Sequence, residues 1–114
     1  MPPIPGIEWA ALSHLLLWIG VILALPAMLA GLIDYSRLPA AVQESADLLW
    51  HIALMGTAWA LFLWAALWRM RTGSFDSAAS WSATFIEVAG SGCLIAGGHF
   101  AATVVFERLP AASD

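Results

Sequence analysis

Three long apolar runs divide the chain, over residues 9–33, 46–69 and 81–107. A helix needs roughly 20 apolar residues to cross the hydrocarbon core of a bilayer, and each run is at least that long. Because backbone N–H and C=O groups in lipid must pair within their own segment, such runs predict helices. The pattern therefore predicts an all-α integral membrane protein, a three-helix transmembrane bundle in a single domain of residues 1–114.

Two short polar segments, residues 34–45 and 69–80, join the runs, so consecutive helices should point in opposite directions. Arginines guide the orientation, because cytoplasmic loops of membrane proteins carry an excess of positive charge. Two arginines lie on the side of the N-terminus and two on the other side. Because Arg69 and Arg71 stand close together, we predict a cytoplasmic N-terminus in a bacterial inner membrane, with the acid-rich side facing outward.

The composition fits a membrane location and narrows the choice of partners. Only 11% of the residues are charged, against roughly 25% in soluble domains. The net charge of −4 and the absence of lysine exclude nucleic acid as a partner, because phosphate binding needs clustered positive charge. A single cysteine, Cys93, excludes an internal disulfide and a cysteine-rich metal site.

Three histidines and one glutamate lie within the apolar runs, away from their ends, where ionisable residues are rare and often functional. At about 1.5 Å per residue, His51 lies roughly 9 Å before the centre of the second helix and His99 roughly 7 Å beyond the centre of the third. Because these helices are antiparallel, both histidines fall at nearly the same depth. His14 and Glu87 fall together on the opposite side of the bilayer centre. The sequence thus predicts two polar layers.

The first layer has two interpretations. Histidines on facing helices at one depth can ligate the iron of a haem b from both axial positions, which would make His51 and His99 metal ligands. Small residues would then leave room for the flat porphyrin, and arginines on the same membrane side would bind its propionates. These further cofactor-binding residues are Gly97, Gly98, Arg37 and Arg108. The other interpretation is helix–helix packing, which glycines at helical spacing also serve.

The second layer has two interpretations as well. A histidine and a carboxylate in a low-dielectric setting can share a proton, so His14 and Glu87 are candidates for a proton relay or for a pair that contacts a quinone. Alternatively, they form a buried polar clasp that fixes the register of the helices.

Short motifs at the ends of the first and third runs resemble a known family. The first run ends in an apolar-Gly-Leu-x-Asp-aromatic pattern, and the last carries a Gly-Gly-x-hydrophobic run with an aromatic–acid end. The matching residues are Gly31, Leu32, Asp34 and Tyr35, then Gly97, Gly98, His99, Phe106 and Glu107. With His51 near the start of the middle helix, they resemble small bacterial membrane proteins of the domain-of-unknown-function 2231 family over most of the chain.

This resemblance implies an integral membrane protein. It also suggests an electron-transfer role, since some related proteins are linked with redox dehydrogenases and cytochromes. Family members typically have four helices, the first bearing a histidine, and we expect this chain to lack that helix.

The leading prediction is a membrane subunit that binds haem b through His51 and His99. It would transfer electrons between a redox partner and the quinone pool or another haem. Its partners would be the lipid bilayer and other membrane or periplasmic redox subunits. Assembly into a homo-oligomer is compatible with this prediction. The alternative is a cofactor-free structural or assembly subunit of a larger membrane complex. A stand-alone enzyme is less favoured, because the sequence shows no nucleophile–base triad, phosphate loop or zinc-ligand spacing.

Overall fold

A computed structural model describes the backbone of residues 9–72 and 78–113, and the side chains of 11–71 and 81–112. The described chain is almost wholly helical and contains no strand. Its elements are α1 (Trp9–Ser36), α2 (Ala40–Gln43), α3 (Ala46–Thr72), α4 (Ala78–Thr103), a π-helical turn (Val104–Arg108) and α5 (Leu109–Ser113).

Three helical stretches of the described chain are long and apolar enough to cross a membrane, at residues 11–36, 46–71 and 81–112. The prediction of an all-α membrane protein with three spanning helices is confirmed. α1 extends to Ser36, three residues beyond the end of the first apolar run. The third continues through the π-helical turn into α5, because that segment packs on the rest of the protein.

α3 and α4 form an antiparallel hairpin that packs through small residues. The buried residues of the third span recur every seven positions, at Ala83, Gly90 and Gly97 of α4 and at Val104 of the π-helical turn. A seven-residue repeat is typical of helices that lie side by side at a shallow angle. We call this contact the α3–α4 seam. Its residues are His51, Met55, Phe62 and Arg69 on α3, and Ala83, Glu87, Gly90 and Gly97 on α4.

Two glycines set the distance between the helices of the seam. A Cβ atom built on Gly97 would lie 2.8 Å from the sulfur of Met55, and one built on Gly90 would lie 3.1 Å from the ring of Phe62. A larger residue fits at either position only if its neighbour moves. Small residues at such contacts let helix backbones approach closely, which is the main source of attraction between helices in lipid.

α1 lies against α3, and a hydrogen bond joins the middle of α1 to the middle of α3. Pro26 lies inside α1, and because proline has no N–H, the carbonyl of Ile22 four residues earlier lacks its helical donor. The adjacent Val21 carbonyl accepts a hydrogen bond from Nε1 of Trp59 in α3, at 3.1 Å. Val21 is also the one buried side chain among residues 11–36. Most of the described surface of α1 is therefore left open to its surroundings.

A small apolar cluster closes the end of the bundle where α1 meets α3. Val42 of α2 packs with Leu48 and Val104, and Leu109 lies against them. Val104 and Leu109 are five residues apart, and the N–H of Leu109 bonds to the carbonyl of Val104. This is the i→i+5 bonding of a π-helix, and it puts both side chains on one face, which an α-helix would not.

The seam predicts unequal tolerance at neighbouring glycines. We expect Gly97→Val to lower the free energy of unfolding by about 1–3 kcal/mol, the usual cost of overpacking, because its side chain meets Met55. The control is Gly98→Val, since a Cβ atom at Gly98 has nothing within 4 Å and should change stability by less than about 0.5 kcal/mol. Denaturant unfolding in detergent micelles, followed by tryptophan fluorescence, measures both. Equal losses would contradict the seam.

Candidate functional site

His51 is held in one orientation by the neighbouring helix. Its Nδ1 lies 2.8 Å from the carbonyl oxygen of Gly97. A carbonyl can only accept a hydrogen bond, so Nδ1 carries the proton and donates it. In a neutral ring this leaves Nε2 as a lone-pair nitrogen, which is able to accept a hydrogen bond or ligate a metal. Histidines that bind a metal through one ring nitrogen usually donate a hydrogen bond from the N–H of the other nitrogen in this way.

His99 lies at the level of His51 but on another face. The ring of Trp50 stacks on that of Phe100 at a centroid distance of 6.2 Å, so the residues next to the two histidines are in contact. However, His99 is two residues beyond Gly97, which turns its side chain about 200° around the helix axis. It is exposed, with its ring against Phe100 at 5.7 Å. The two histidines share a depth but do not face each other across the seam.

The two glycines before His99 have different surroundings. Gly97 is buried in the seam, and the space beside it is occupied by Met55. Gly98 is exposed, and nothing lies within 4 Å of the position that its Cβ would take. Open space beside the backbone is therefore found next to His99 on the outer surface of α4 and not next to His51.

The two arginines of the predicted propionate site differ in what they contact. Arg108 forms a salt bridge with Asp47, at 2.8 Å from its Nη2 to Oδ2, and its Nε donates to the same oxygen. This pair ties the π-helical turn to the first turn of α3. Arg37 lies between α1 and α2 and is exposed. Both arginines are exposed, and they differ in that Arg108 is held by the carboxylate of Asp47.

On the opposite side of the bilayer centre, Glu87 is bound by Arg69. The Nε of Arg69 donates to one carboxylate oxygen at 2.8 Å, and its Nη2 donates to the other at 3.2 Å. Nη2 also donates to the hydroxyl of Thr84 at 3.2 Å. Side-chain exposures of 13% for Arg69 and 26% for Glu87 show that this is an inward-facing pair. Two parallel bonds between a guanidinium and a carboxylate form the strongest kind of side-chain ion pair.

His14 lies on the half-buried side of α1, where its Nε2 accepts a hydrogen bond from Nε1 of Trp18 at 3.1 Å. This bond and the two ion-pair bonds of Glu87 involve different partners. The interaction of His14 with Glu87 therefore stays a prediction.

Two partners in these contacts were not predicted from the sequence. By its charge, Arg69 is predicted to flank the loop after the second run, whereas it lies in the last turn of α3 with its side chain turned towards α4. Its spacing contained the missing signal, since positions 51, 55, 62 and 69 follow steps of four and seven residues, which keep them on one helix face. Asp47 is one of the acidic residues of the side that the sequence predicts to face outward. Antiparallel pairing of α3 with the end of the third span would have placed it beside Arg108.

The described residues contain no group of three or more histidine, cysteine, aspartate or glutamate side chains that could hold a metal ion. An iron that is already bound in a porphyrin needs only one or two axial ligands, so this finding concerns sites built from side chains alone.

Comparisons with known proteins agree with the membrane fold. The sequence model of one family, described as a predicted membrane protein (DUF2231), matches residues 5–109. No curated protein and no solved structure matches the chain.

The ion pair predicts a specific pattern of stability losses. We expect Arg69→Met to lower the free energy of unfolding by about 3 kcal/mol, because it leaves the inward-facing carboxylate of Glu87 without its partner. The double variant Arg69→Met/Glu87→Leu should recover more than half of that loss. Arg71→Met is the control, since Arg71 is exposed on the same helix end. Unfolding in detergent micelles measures all three, and equal losses for both arginines would rule out the pair as the cause.

Proposed function

This chain belongs to the DUF2231 family of predicted membrane proteins, and we propose that it is a helical subunit of a larger complex in a bacterial inner membrane. It would act by packing against other membrane proteins through faces that its own fold leaves open. The observation that carries this proposal is the position of His99. This side chain lies within a membrane-spanning helix, faces outward, and among the described residues makes a ring contact with Phe100 alone.

An outward histidine needs a polar partner that lipid does not supply. A polar group in hydrocarbon without a hydrogen bond costs several kcal/mol, and polar residues in membrane helices usually face a protein interior or a water-filled cavity. A neighbouring protein that covers this face would remove the cost. The open surface of α1 fits the same role, since only 6% of the residues in its most apolar stretch are buried.

Haem binding is a second candidate function, favoured by the hydrogen bond from His51 Nδ1 to the Gly97 carbonyl. That bond leaves Nε2 as the nitrogen that could ligate iron. When bound, haem b would supply a one-electron carrier between a redox partner and the quinone pool or another haem. His51 would hold the group, and Arg37 would be available to its propionates.

The pair His51 and His99 of one chain does not fit as the two axial ligands of one haem between α3 and α4. The seam is filled beside His51, and His99 points away from it. A haem on His51 would therefore need its second axial ligand from outside this pair.

Photo-cross-linking tests the subunit role. A benzophenone amino acid placed at Ile95 should give adducts with protein in native membranes, because that residue is 77% exposed on the outer side of α4. The same probe at Leu29, which is 60% exposed on α1, examines the other open face. Mass spectrometry of the purified products identifies the adducts. If both positions give only lipid adducts, the proposed role in a complex is wrong.

Absorption spectroscopy tests the haem candidate. Protein made with ample haem and purified in mild detergent should show a Soret band, and an α band after reduction with dithionite. His51→Ala should abolish both bands. His14→Ala is the control, since this histidine lies on the other side of the bilayer centre and should leave the spectrum unchanged. A colourless wild-type protein would eliminate this candidate without affecting the structural one.

A further inference from the structure

We propose that α4 pairs with α4 of a second copy of this chain, with the two His99 side chains in contact at the centre. The inference rests on the proposed function, because it names the partner of the open face around His99. We call this surface the outer α4 face. Its residues are Val88, Gly92, Ile95, His99 and Ala102.

The outer α4 face is continuous and lies opposite the seam. Its members follow steps of three and four residues, which place them on one side of a helix, and all five are exposed. Gly92 lies two turns before His99 on this face, and a Cβ atom there would have nothing within 4 Å. A second helix backbone could therefore approach closely at Gly92, as membrane helices do at small residues.

The geometry of a bilayer favours a second copy over an unrelated helix. Copies of one chain share one orientation in the membrane, so two of them can be related by a two-fold axis along the membrane normal. Any residue near that axis then meets itself at the same depth. For His99 this places one imidazole opposite another, without any requirement for a matching polar group on a different protein.

Two neutral imidazoles are also complementary in chemistry. Each has one N–H donor and one lone-pair acceptor, so one ring donates to the other and both gain a partner. His51 is less suited to this role because its Nδ1 is already bonded to the Gly97 carbonyl. The ring of His99 forms no hydrogen bond among the described residues, so both of its nitrogens are left for a contact with another molecule. His99, which is costly to expose to lipid, would thus determine which helix faces pair at the interface.

Cysteine cross-linking in native membranes tests this pairing. In a Cys93→Ala background, Ile95→Cys should form a disulfide-linked dimer of twice the chain mass on mild oxidation, because Ile95 is one turn from His99. Leu23→Cys is the control, since Leu23 is 62% exposed near the middle of α1 and lies outside the outer α4 face. It should stay monomeric under the same conditions.

The dependence on His99 separates imidazole pairing from general apolar contact. Adding His99→Ala to Ile95→Cys should reduce the dimer yield by about threefold or more, the factor expected for one interhelical hydrogen bond in lipid. His99→Asn, which keeps a donor and an acceptor, should retain most of the yield. Unchanged yield in His99→Ala, or equal yield from Leu23→Cys, would overturn the proposal. Adducts of Ile95 with a different protein and no dimer would also overturn it, yet would leave the subunit role intact.

Discussion

Close approach of α3 and α4 through glycine and alanine is the constraint on which the remaining structure depends. Lipid tails are as apolar as leucine, so burying apolar side chains gives little attraction between helices in a membrane. Tight backbone contact and polar bonds must supply it. The seven-residue spacing of Ala83, Gly90, Gly97 and Val104 provides the contact. It also decides which faces of the two helices remain for other purposes.

The polar residues of α3 and α4 at membrane depth fall into two groups, those that lie in the α3–α4 seam and those that lie outside it. His51, Arg69 and Glu87 lie in the seam, and each is bonded within it, to the Gly97 carbonyl or to each other. They act first as clasps that fix how one helix lies along the other. His99 is two positions out of step with the seam and gains no such bond. Histidine therefore joins two helices of the fold at position 51, whereas at position 99 its ring is directed away from the seam and towards a partner outside the described residues.

The sequence was sufficient to predict three spanning helices and the shared depth of His51 and His99, but not the helix faces on which these side chains lie. Depth changes by only about 1.5 Å per residue, whereas direction changes by about 100°. An error of two residues therefore leaves His51 and His99 level and turns one of them to the opposite side. The pairing of Glu87 with Arg69 was missed, because Arg69 counted as a residue of the polar segment that joins the two helices. The motif residues pointed to a family that the comparisons confirm, although they carry no information on activity.

The π-helical turn separates two parts of the third span whose orientation around the helix axis is set by different contacts. In the membrane, the facing of the helix is dictated by its small residues. At the surface, it is dictated by the salt bridge of Arg108 with Asp47 and by the apolar contact of Leu109. The wide turn absorbs the angular mismatch between these two demands without breaking the helix. A change in sequence or in binding partner at α5 can thus be accommodated by the π-helical turn, while α4 keeps the same face towards α3.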